Sequence, residues 1–179
     1  MRIPTLKRSM AAVAIGGAAV LLFGIGCYTA GARVNTTKSI PVGLYWTSSA
    51  PVEKGAYVLF CPPQLGVFDD AKERGYIGAG FCQGGYGYMM KRVLAAKDDA
   101  VAVADDGVRV NGELLPLSAP IKADKAGRPL PRYQSNSYTL GNSEVLLMSD
   151  VSATSFDGRY FGPINRSQIK TVIRPVITW

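Results

Sequence analysis

The sequence predicts a mainly β protein with one N-terminal transmembrane helix, and three observations lead to this fold class. The chain of 179 residues contains 20 glycines and 11 prolines, a composition typical of short strands joined by turns. Short apolar runs recur between those turn residues. Residues 10–32 contain no charged residue, and an uncharged segment of this length can cross a bilayer as a helix.

The predicted strands are short, and turn residues separate them. They cover residues 57–60, 86–95, 100–104, 108–110, 145–148 and 169–177. Residues 105–107 and the pair Asn111-Gly112 predict tight hairpin turns. We expect one short helix over residues 69–74 and a long surface loop, rich in proline and basic residues, over residues 119–136.

Three interpretations of the apolar N-terminal segment remain open. Arg2, Lys7 and Arg8 precede the segment and favour an uncleaved anchor whose N-terminus stays in the cytoplasm. The small residues of the Ala30-Gly31-Ala32 triplet are typical of a signal-peptide cleavage site. A faint lipoprotein box before Cys27 allows lipidation. Each interpretation exports the rest of the chain.

The chain therefore divides into an anchor or signal segment, residues 1–32, and one exported domain, residues 33–179. Residues 1–52 contain five basic residues and no acidic residue, so they carry five of the seven net positive charges. Because the basic excess lies mostly in the N-terminal region, it does not indicate a nucleic-acid-binding surface.

Histidine is absent from the chain, and this absence restricts the chemistry. It excludes catalysis by Ser-His-Asp or Cys-His and every histidine-ligated metal site, so a hydrolase base must be Lys, Asp, Glu or Tyr. We expect no metal and no cofactor.

We favour a disulfide between Cys61 and Cys82, because an exported domain keeps disulfides and nothing here resembles a metal site. Two unrelated thiols remain the alternative.

Lys91 is the most unusual residue of a predicted strand. It lies in the run Met89-Met90-Lys91-Arg92-Val93, where alternation places one of the two basic side chains on an apolar face. A buried lysine loses its charge easily and can then act as a neutral base, for example beside a serine hydroxyl. An edge strand with both basic side chains in solvent is the alternative.

Two further stretches carry polar side chains that suit a catalytic site. Residues 35–46 run from a polar segment, which contains Thr37 and Ser39, through Pro41 into an aromatic strand. Residues 155–164 form a glycine-punctuated turn that carries Asp157 and Arg159. Taken alone, the first stretch is also typical of a linker, and the second of a loop held by an Asp–Arg contact.

In this order, the three stretches resemble the type I signal peptidase superfamily, most closely its conjugative-plasmid branch, the TraF-type transfer peptidases. The nucleophile box corresponds to residues 37–45, the lysine box to residues 90–93 and the C-terminal box to residues 155–162. General signal peptidases usually have Ser-Met before the proline, whereas this chain has Ser39-Ile40. The resemblance covers nearly the whole chain and implies a signal-peptidase-like antiparallel β fold.

The resemblance also implies roles for individual residues. Ser39 would be the nucleophile and Lys91 its base, within hydrogen-bond reach of each other. The Ser39 backbone N–H and the Thr37 hydroxyl would stabilise the oxyanion. Asp157 would support the site while held by Arg159 or by backbone N–H groups, because direct contact with Lys91 would raise the lysine pKa and disfavour the neutral base.

The implied function is maturation of a pilin-type precursor, with or without cyclisation, for conjugative type IV secretion. The expected partners are a membrane-inserted prepilin or preprotein, the conjugative transfer machinery and the inner membrane, without nucleic acid. We expect a single-pass bacterial inner-membrane protein with its catalytic domain in the periplasm, or a soluble periplasmic protein after signal cleavage. Ser39 follows the apolar segment by only about seven residues, which reach at most roughly 25 Å, so a membrane-held substrate is suitable.

Two alternative functions remain open at this point. One is a general type I signal peptidase that cleaves secretory signal peptides. The other is a non-enzymatic exported scaffold subunit of a pilus or secretion assembly, in which Lys91 would be solvated and far from Ser39.

Overall fold

The N-terminal unit is a single long helix. The computed structural model describes residues 3–179, with side chains described from Ser9 onward. Helix α1 (Ile3–Thr29) contains the segment Ser9–Thr29, which is long and apolar enough to cross a membrane. A signal sequence near the N-terminus has the same properties, so the helix fits either an anchor or a signal segment. Arg2, which contributes to the orientation prediction, lies outside the described residues.

The second compact unit spans residues 34–179 and is built mainly of antiparallel strands, which confirms the predicted fold class. The strands are β1 (Ala32–Asn35), β2 (Gly43–Ser48), β3 (Tyr57–Phe60), β4 (Met89–Ala95), β5 (Ala100–Ala104), β6 (Gly107–Val110), β7 (Glu113–Leu114), β8 (Ser135–Thr139), β9 (Glu144–Met148), β10 (Ile164–Asn165) and β11 (Ile169–Thr178). The helices are α2 (Gly66–Glu73) and α3 (Gly158–Phe161), with 3-10 turns at Gln83–Gly85 and Arg166–Gln168.

Within the described residues the strands form two sheets. The larger has seven strands in the order β1-β2-β11-β3-β4-β9-β10, and the smaller has four in the order β7-β6-β5-β8. A core that includes Val58, Phe60, Val93 and Leu147 packs against the larger sheet. A second core fills the space around β5, β6 and β9. The larger sheet therefore carries the main core, with β4 near its centre.

Several predicted element boundaries were wrong by a few residues. Strand β4 begins at Met89 and not at residue 86, because Tyr86 buries its ring in the core and donates a hydrogen bond to Asp69 at 2.5 Å. Helix α2 begins at residue 66 and not at residue 69. The expected loop over residues 119–136 contains an antiparallel bridge and the start of β8.

The structure of strand β4 shows which of its two basic residues is buried. It pairs with β3 on one side and β9 on the other, so it is an interior strand, and its residues alternate between buried and half-buried. Lys91 points inward and is only 1% exposed. Arg92 points to the opposite face, where its guanidinium lies 2.8 Å from the Asp150 carboxylate. The alternative of an edge strand with both side chains in solvent is therefore wrong.

Candidate active site

The loop that carries Ser39 joins β1 to β2, and the side chain of Asn35 holds it in shape. Asn35 is buried at the end of β1. Its Nδ2 donates to the backbone carbonyls of Thr37 at 2.7 Å, Ile40 at 2.9 Å and Pro41 at 3.1 Å. Its Oδ1 accepts the Thr37 backbone N–H at 3.2 Å. One buried amide therefore satisfies backbone groups on both sides of Ser39.

The hydroxyl of Thr37 lies beside the hydroxyl of Ser39. Thr37 Oγ1 is 3.1 Å from Ser39 Oγ and 3.0 Å from Asn35 Oδ1. A hydroxyl has a single hydrogen to donate, so Thr37 donates to one of these two oxygens at a time. Ser39 is half-buried and Thr37 is exposed, which leaves both hydroxyls accessible from the cavity described below.

Lys91 is buried beside a different serine. Its Nζ donates to Ser155 Oγ at 2.7 Å, and in the described part of the chain no hydrogen bond joins it directly to Ser39. Burial lowers the pKa of Lys91 from 10.5 to about 8, because a low-dielectric surrounding disfavours the ammonium form. The Asp157 carboxylate acts in the opposite direction, and the Arg159 guanidinium adds to the lowering.

Asp157 and Arg159 form a buried ion pair. Arg159 Nε and Nη2 each lie 2.8 Å from a different oxygen of Asp157, and both residues are fully buried. Three backbone carbonyls accept the remaining guanidinium hydrogens: Leu117 at 2.9 Å, Ala153 at 2.6 Å and Ser152 at 3.0 Å. All five donors of the guanidinium are therefore used, which stabilises its charge in the interior.

Asp157 also connects the ion pair to strand β9 and to the loop of Ser39. Its Oδ2 accepts the backbone N–H of Ser149 at 3.0 Å, and Ser149 Oγ lies 3.5 Å from the carbonyl oxygen of Lys38. Gly158, the next residue, packs closely on β9, since a Cβ there would lie 2.7 Å from Leu146 Cδ1. Asp157 makes no hydrogen bond to Lys91 among the described residues.

Ser39 and Lys91 line the same cavity, whose volume is about 630 Å³. Thr37 and Ser155 also line it, and so do six residues of a hairpin between β7 and β8: Ile121, Asp124, Lys125, Ala126, Arg128 and Leu130. Its other lining residues include Val34, Tyr76, Ile77, Tyr88, Met89, Met90, Phe156 and Tyr160. The cavity thus combines hydroxyls and a buried amine with apolar and aromatic walls, an arrangement that suits a peptide substrate.

A disulfide joins the segment that follows β3 to the segment that precedes β4. Cys61 at the end of β3 is bonded to Cys82, with their Cα atoms 5.5 Å apart. Cys27 is a free thiol. The described residues contain no cluster of acidic or cysteine side chains able to hold a metal ion.

Three residues of the site had no role in the sequence analysis. Ser155 is the hydrogen-bond partner of Lys91, Asn35 organises the loop that carries Ser39, and Ser149 links that loop to Asp157. Ser155 stands first in the C-terminal box, and Asn35 is the first residue of the stretch 35–46 that contains Ser39. The positions of Ser155 and Asn35 were therefore visible in the sequence, but the contacts of Ser155 with Lys91 and of Ser149 with Lys38 join segments 64 and 111 positions apart.

Comparison with known proteins adds an independent observation. The family described as signal peptidase, peptidase S26, matches residues 5–179. Plasmid transfer protein TraF of Escherichia coli is 93% identical over 174 residues, covering 97% of this chain and 98% of that protein. Conjugal transfer protein TraF of Agrobacterium tumefaciens (strain 15955) is 33% identical over 178 residues, covering 97% of this chain and 99% of that protein.

A signal peptidase I from Enterococcus faecalis V583, known from a crystal structure, matches with a TM-score of 0.40 and 16% identity, over 71% of this chain and 100% of that chain. The sequence matches extend over nearly the whole length of this chain. They confirm the resemblance on which the sequence analysis drew, and the chain belongs to the peptidase S26 family of signal peptidases, in its TraF-type branch.

Proposed function

We propose that this protein is a serine endopeptidase in which Ser39 is the nucleophile and Lys91 is the general base. The main supporting observation is that a fully buried lysine, with its pKa lowered to about 8, lines the same cavity as a serine hydroxyl. At neutral pH a fraction of such lysines is neutral, and a neutral amine can accept a proton. The membership of the S26 family supports a peptidase.

The proposed reaction proceeds through an acyl-enzyme. Ser39 Oγ attacks the scissile carbonyl carbon while its proton passes to Nζ of Lys91. The resulting ammonium gives that proton to the departing amine as the peptide bond breaks. A water molecule, or an amine of the substrate itself, then attacks the ester carbonyl carbon and gives a proton to Lys91. The bond between the acyl group and Ser39 Oγ breaks, and Lys91 returns that proton to Ser39 Oγ. An attacking amine would join two ends of the substrate.

The resting contact of Lys91 differs from the contact that the reaction needs. Nζ lies on Ser155 Oγ, and catalytic hydrogen bonds often form only when the substrate is bound. In our proposal a bound peptide brings Ser39 Oγ to Nζ, while Ser155 keeps hold of the amine from its other side. A neutral amine that donates to Ser155 still has its lone pair available for the proton of Ser39.

The oxyanion donors in this proposal are the Ser39 backbone N–H and the Thr37 hydroxyl. The Thr37 hydroxyl, 3.1 Å from Ser39 Oγ, needs only to rotate its hydrogen away from Asn35 Oδ1 to donate to the developing oxyanion. Asp157 has a supporting role, since its pairing with Arg159 keeps it away from Nζ. A carboxylate in direct contact with Lys91 would place a full negative charge beside the amine and favour its ammonium form.

We assign the reaction to conjugative transfer because relatives with matching length are named plasmid transfer and conjugal transfer proteins. The substrate would be a membrane-inserted, pilin-type precursor, and the partners would be the transfer machinery. Helix α1 would hold the domain, residues 33–179, on the periplasmic side of the inner membrane, or would be removed as a signal segment, residues 1–32. A general signal peptidase remains the second candidate, because the family itself is one of signal peptidases.

The decisive experiment is mass spectrometry of the candidate pilin from cells that carry the wild-type protein or a variant. We expect a shortened pilin with the wild type and the intact precursor with Ser39→Ala. Ser167→Ala is the matched control, because Ser167 is an exposed serine that does not line the catalytic cavity. A product lighter by one further water molecule would identify cyclisation.

The alternatives give different results in the same experiment. A precursor processed equally with wild type and Ser39→Ala contradicts the proposal and favours a scaffold role. Loss of secretory signal-peptide cleavage in a strain that depends on this protein would instead assign general signal peptidase activity.

A further inference from the structure

One wall of the cavity is a hairpin, residues 119–131, which we call the cleft hairpin. Its two arms meet in a bridge between Ala123 and Pro129, and the Asp124 N–H bonds the Arg128 carbonyl at 3.0 Å. Gly127 closes the turn through a hydrogen bond to Asp124. The hairpin therefore has a defined shape and is not an irregular loop.

Polar contacts fix the cleft hairpin to Arg74, Tyr76 and Tyr160. Arg74 Nη1 donates to the Pro129 carbonyl at 2.6 Å, and the Tyr76 hydroxyl donates to the Asp124 carboxylate. The Ile121 N–H donates to the Tyr160 hydroxyl at 3.1 Å. These contacts hold the backbone of the hairpin in place beside the cavity.

Five charged side chains line the cavity, and three of them already have partners. Asp124 and Arg128 form an ion pair at 2.6 Å, and Lys91 is buried against Ser155. The other two, Lys38 and Lys125, are exposed and form no ion pair within the described residues. The hydrogen bond from Tyr76 holds the pKa of Asp124 far below its usual range. Asp124 therefore stays ionised, and its carboxylate contacts Tyr76 and Arg128.

We infer that the cavity selects a substrate segment that carries a carboxylate close to the scissile bond, with Lys38 and Lys125 as the residues that recognise it. Lys38 directly precedes the nucleophile, and Lys125 faces the cavity from the cleft hairpin. The two unpaired cations thus approach the same space from different segments. This inference rests on the proposed peptidase function and specifies the substrate of that site.

The carboxylate has two sources that the charges alone do not distinguish. It belongs either to an Asp or Glu side chain or to the C-terminus of a substrate that is cleaved near its end. Exposed ion pairs contribute little, so each lysine is expected to change kcat/KM by about two- to fivefold, an effect that salt screens.

The test uses the full-length protein in detergent micelles and synthetic peptides that span the pilin cleavage site mapped by mass spectrometry. In separate peptides each position flanking the scissile bond is Glu, Gln or Lys, and each peptide has a free or an amidated C-terminus. At one or more positions we expect the wild type to cleave the Glu peptide roughly fivefold faster in kcat/KM than the Gln peptide at low salt. The ratio should approach one at 1 M salt.

The charge-reversal variant Lys125→Glu tests whether Lys125 causes the preference for the Glu peptide. Lys125→Glu should reverse the preference, so that the Lys peptide becomes better than the Glu peptide. Lys122→Glu is the matched control, because Lys122 is an exposed lysine on the same hairpin that does not line the cavity. This control should keep the wild-type ratio. Faster cleavage of peptides with a free than with an amidated C-terminus, with Glu and Gln peptides cleaved equally, assigns the carboxylate to the substrate terminus.

The remaining outcomes contradict either the inference alone or the inference and the proposed function together. Equal rates for Glu and Gln peptides, together with equal rates for free and amidated C-termini, refute the inference and leave the peptidase function intact. An identical change in Lys122→Glu and Lys125→Glu also refutes it, because the effect would then be one of net charge. Failure to cleave any peptide, including the neutral ones, refutes the proposed function and the inference together.

Discussion

Ser39 and Lys91 lie in regions of the molecule that are built in opposite ways. Ser39 is half-buried on a loop whose shape depends largely on one asparagine side chain. Lys91 is an interior residue of a central strand, next to a buried ion pair in which every guanidinium donor is used. A nucleophile must be reached by a substrate, whereas a lysine base must be kept from water to remain partly neutral. Substitutions near Lys91 and substitutions near Ser39 should therefore affect catalysis in different ways.

The largest effect is expected for the lysine side, with Lys91→Arg. Arginine keeps the positive charge but cannot become neutral in this pH range, so loss of the base should lower kcat by about 10²–10⁴-fold. Single-turnover acylation with the mapped peptide measures this loss. Lys170→Arg, on an exposed lysine, is the control and should be active. An active Lys91→Arg protein would exclude Lys91 as the base.

The buried ion pair should respond unequally to removal of its two members. Arg159→Met leaves a buried carboxylate without its counter-ion and should reduce the free energy of unfolding by about 3–5 kcal/mol. Asp157→Asn should destabilise less, because Arg159 keeps three carbonyl partners. Asp157→Asn should also leave the protein folded and cut activity less than Ser39→Ala. Urea unfolding and kcat/KM provide the two measurements.

The same pair predicts opposite shifts of the pH profile. In the wild type kcat/KM should rise as Lys91 loses its proton, through a pKa of about 8. Asp157 raises that pKa and Arg159 lowers it, so Asp157→Asn should move the rise to lower pH and Arg159→Met to higher pH. Shifts in the same direction would show that the two residues act only through stability.

On the serine side, Asn35→Ala should impair catalysis through the shape of the nucleophile loop. Misplacement of a reacting group by about 1 Å lowers rates by roughly 10²-fold, so kcat should fall to this extent. The free energy of unfolding should fall by about 1–3 kcal/mol, because buried backbone groups lose their partner. Asn136→Ala, at an exposed position in β8, is the control. Unchanged kcat in Asn35→Ala would mean that the loop keeps its shape without the amide.

The smallest effect is expected for Ser155→Ala, which removes one hydrogen bond to Lys91. A typical hydrogen bond contributes about 1 kcal/mol, so kcat should fall by roughly tenfold or less while KM changes little. Ser155→Thr keeps the hydroxyl and should restore most of the rate. Equal activity of Ser155→Ala and the wild type would show that packing alone orients the amine.

The sequence by itself determined the mainly β class, the apolar N-terminal helix and the likeness to signal peptidases. These properties follow from local patterns, since turn residues, alternation and uncharged length are all visible along the chain. The alternation in residues 89–95 restricted the inward basic residue to Lys91 or Arg92. The preference for a Cys61–Cys82 bond rested on cellular compartment and on the lack of a metal motif, and the structure contains that disulfide.

Tertiary structure alone decided which residues surround the candidate dyad. The contact of Lys91 with Ser155 spans 64 positions of the chain, and that of Ser149 with Lys38 spans 111, so neither follows from a local pattern. Strand β4 lies between β3 and β9, and the face that carries Lys91, not the face that carries Arg92, is the buried one, which depends on the packing of the folded chain. The lowered pKa of Lys91 is likewise a property of burial, which only the folded chain creates.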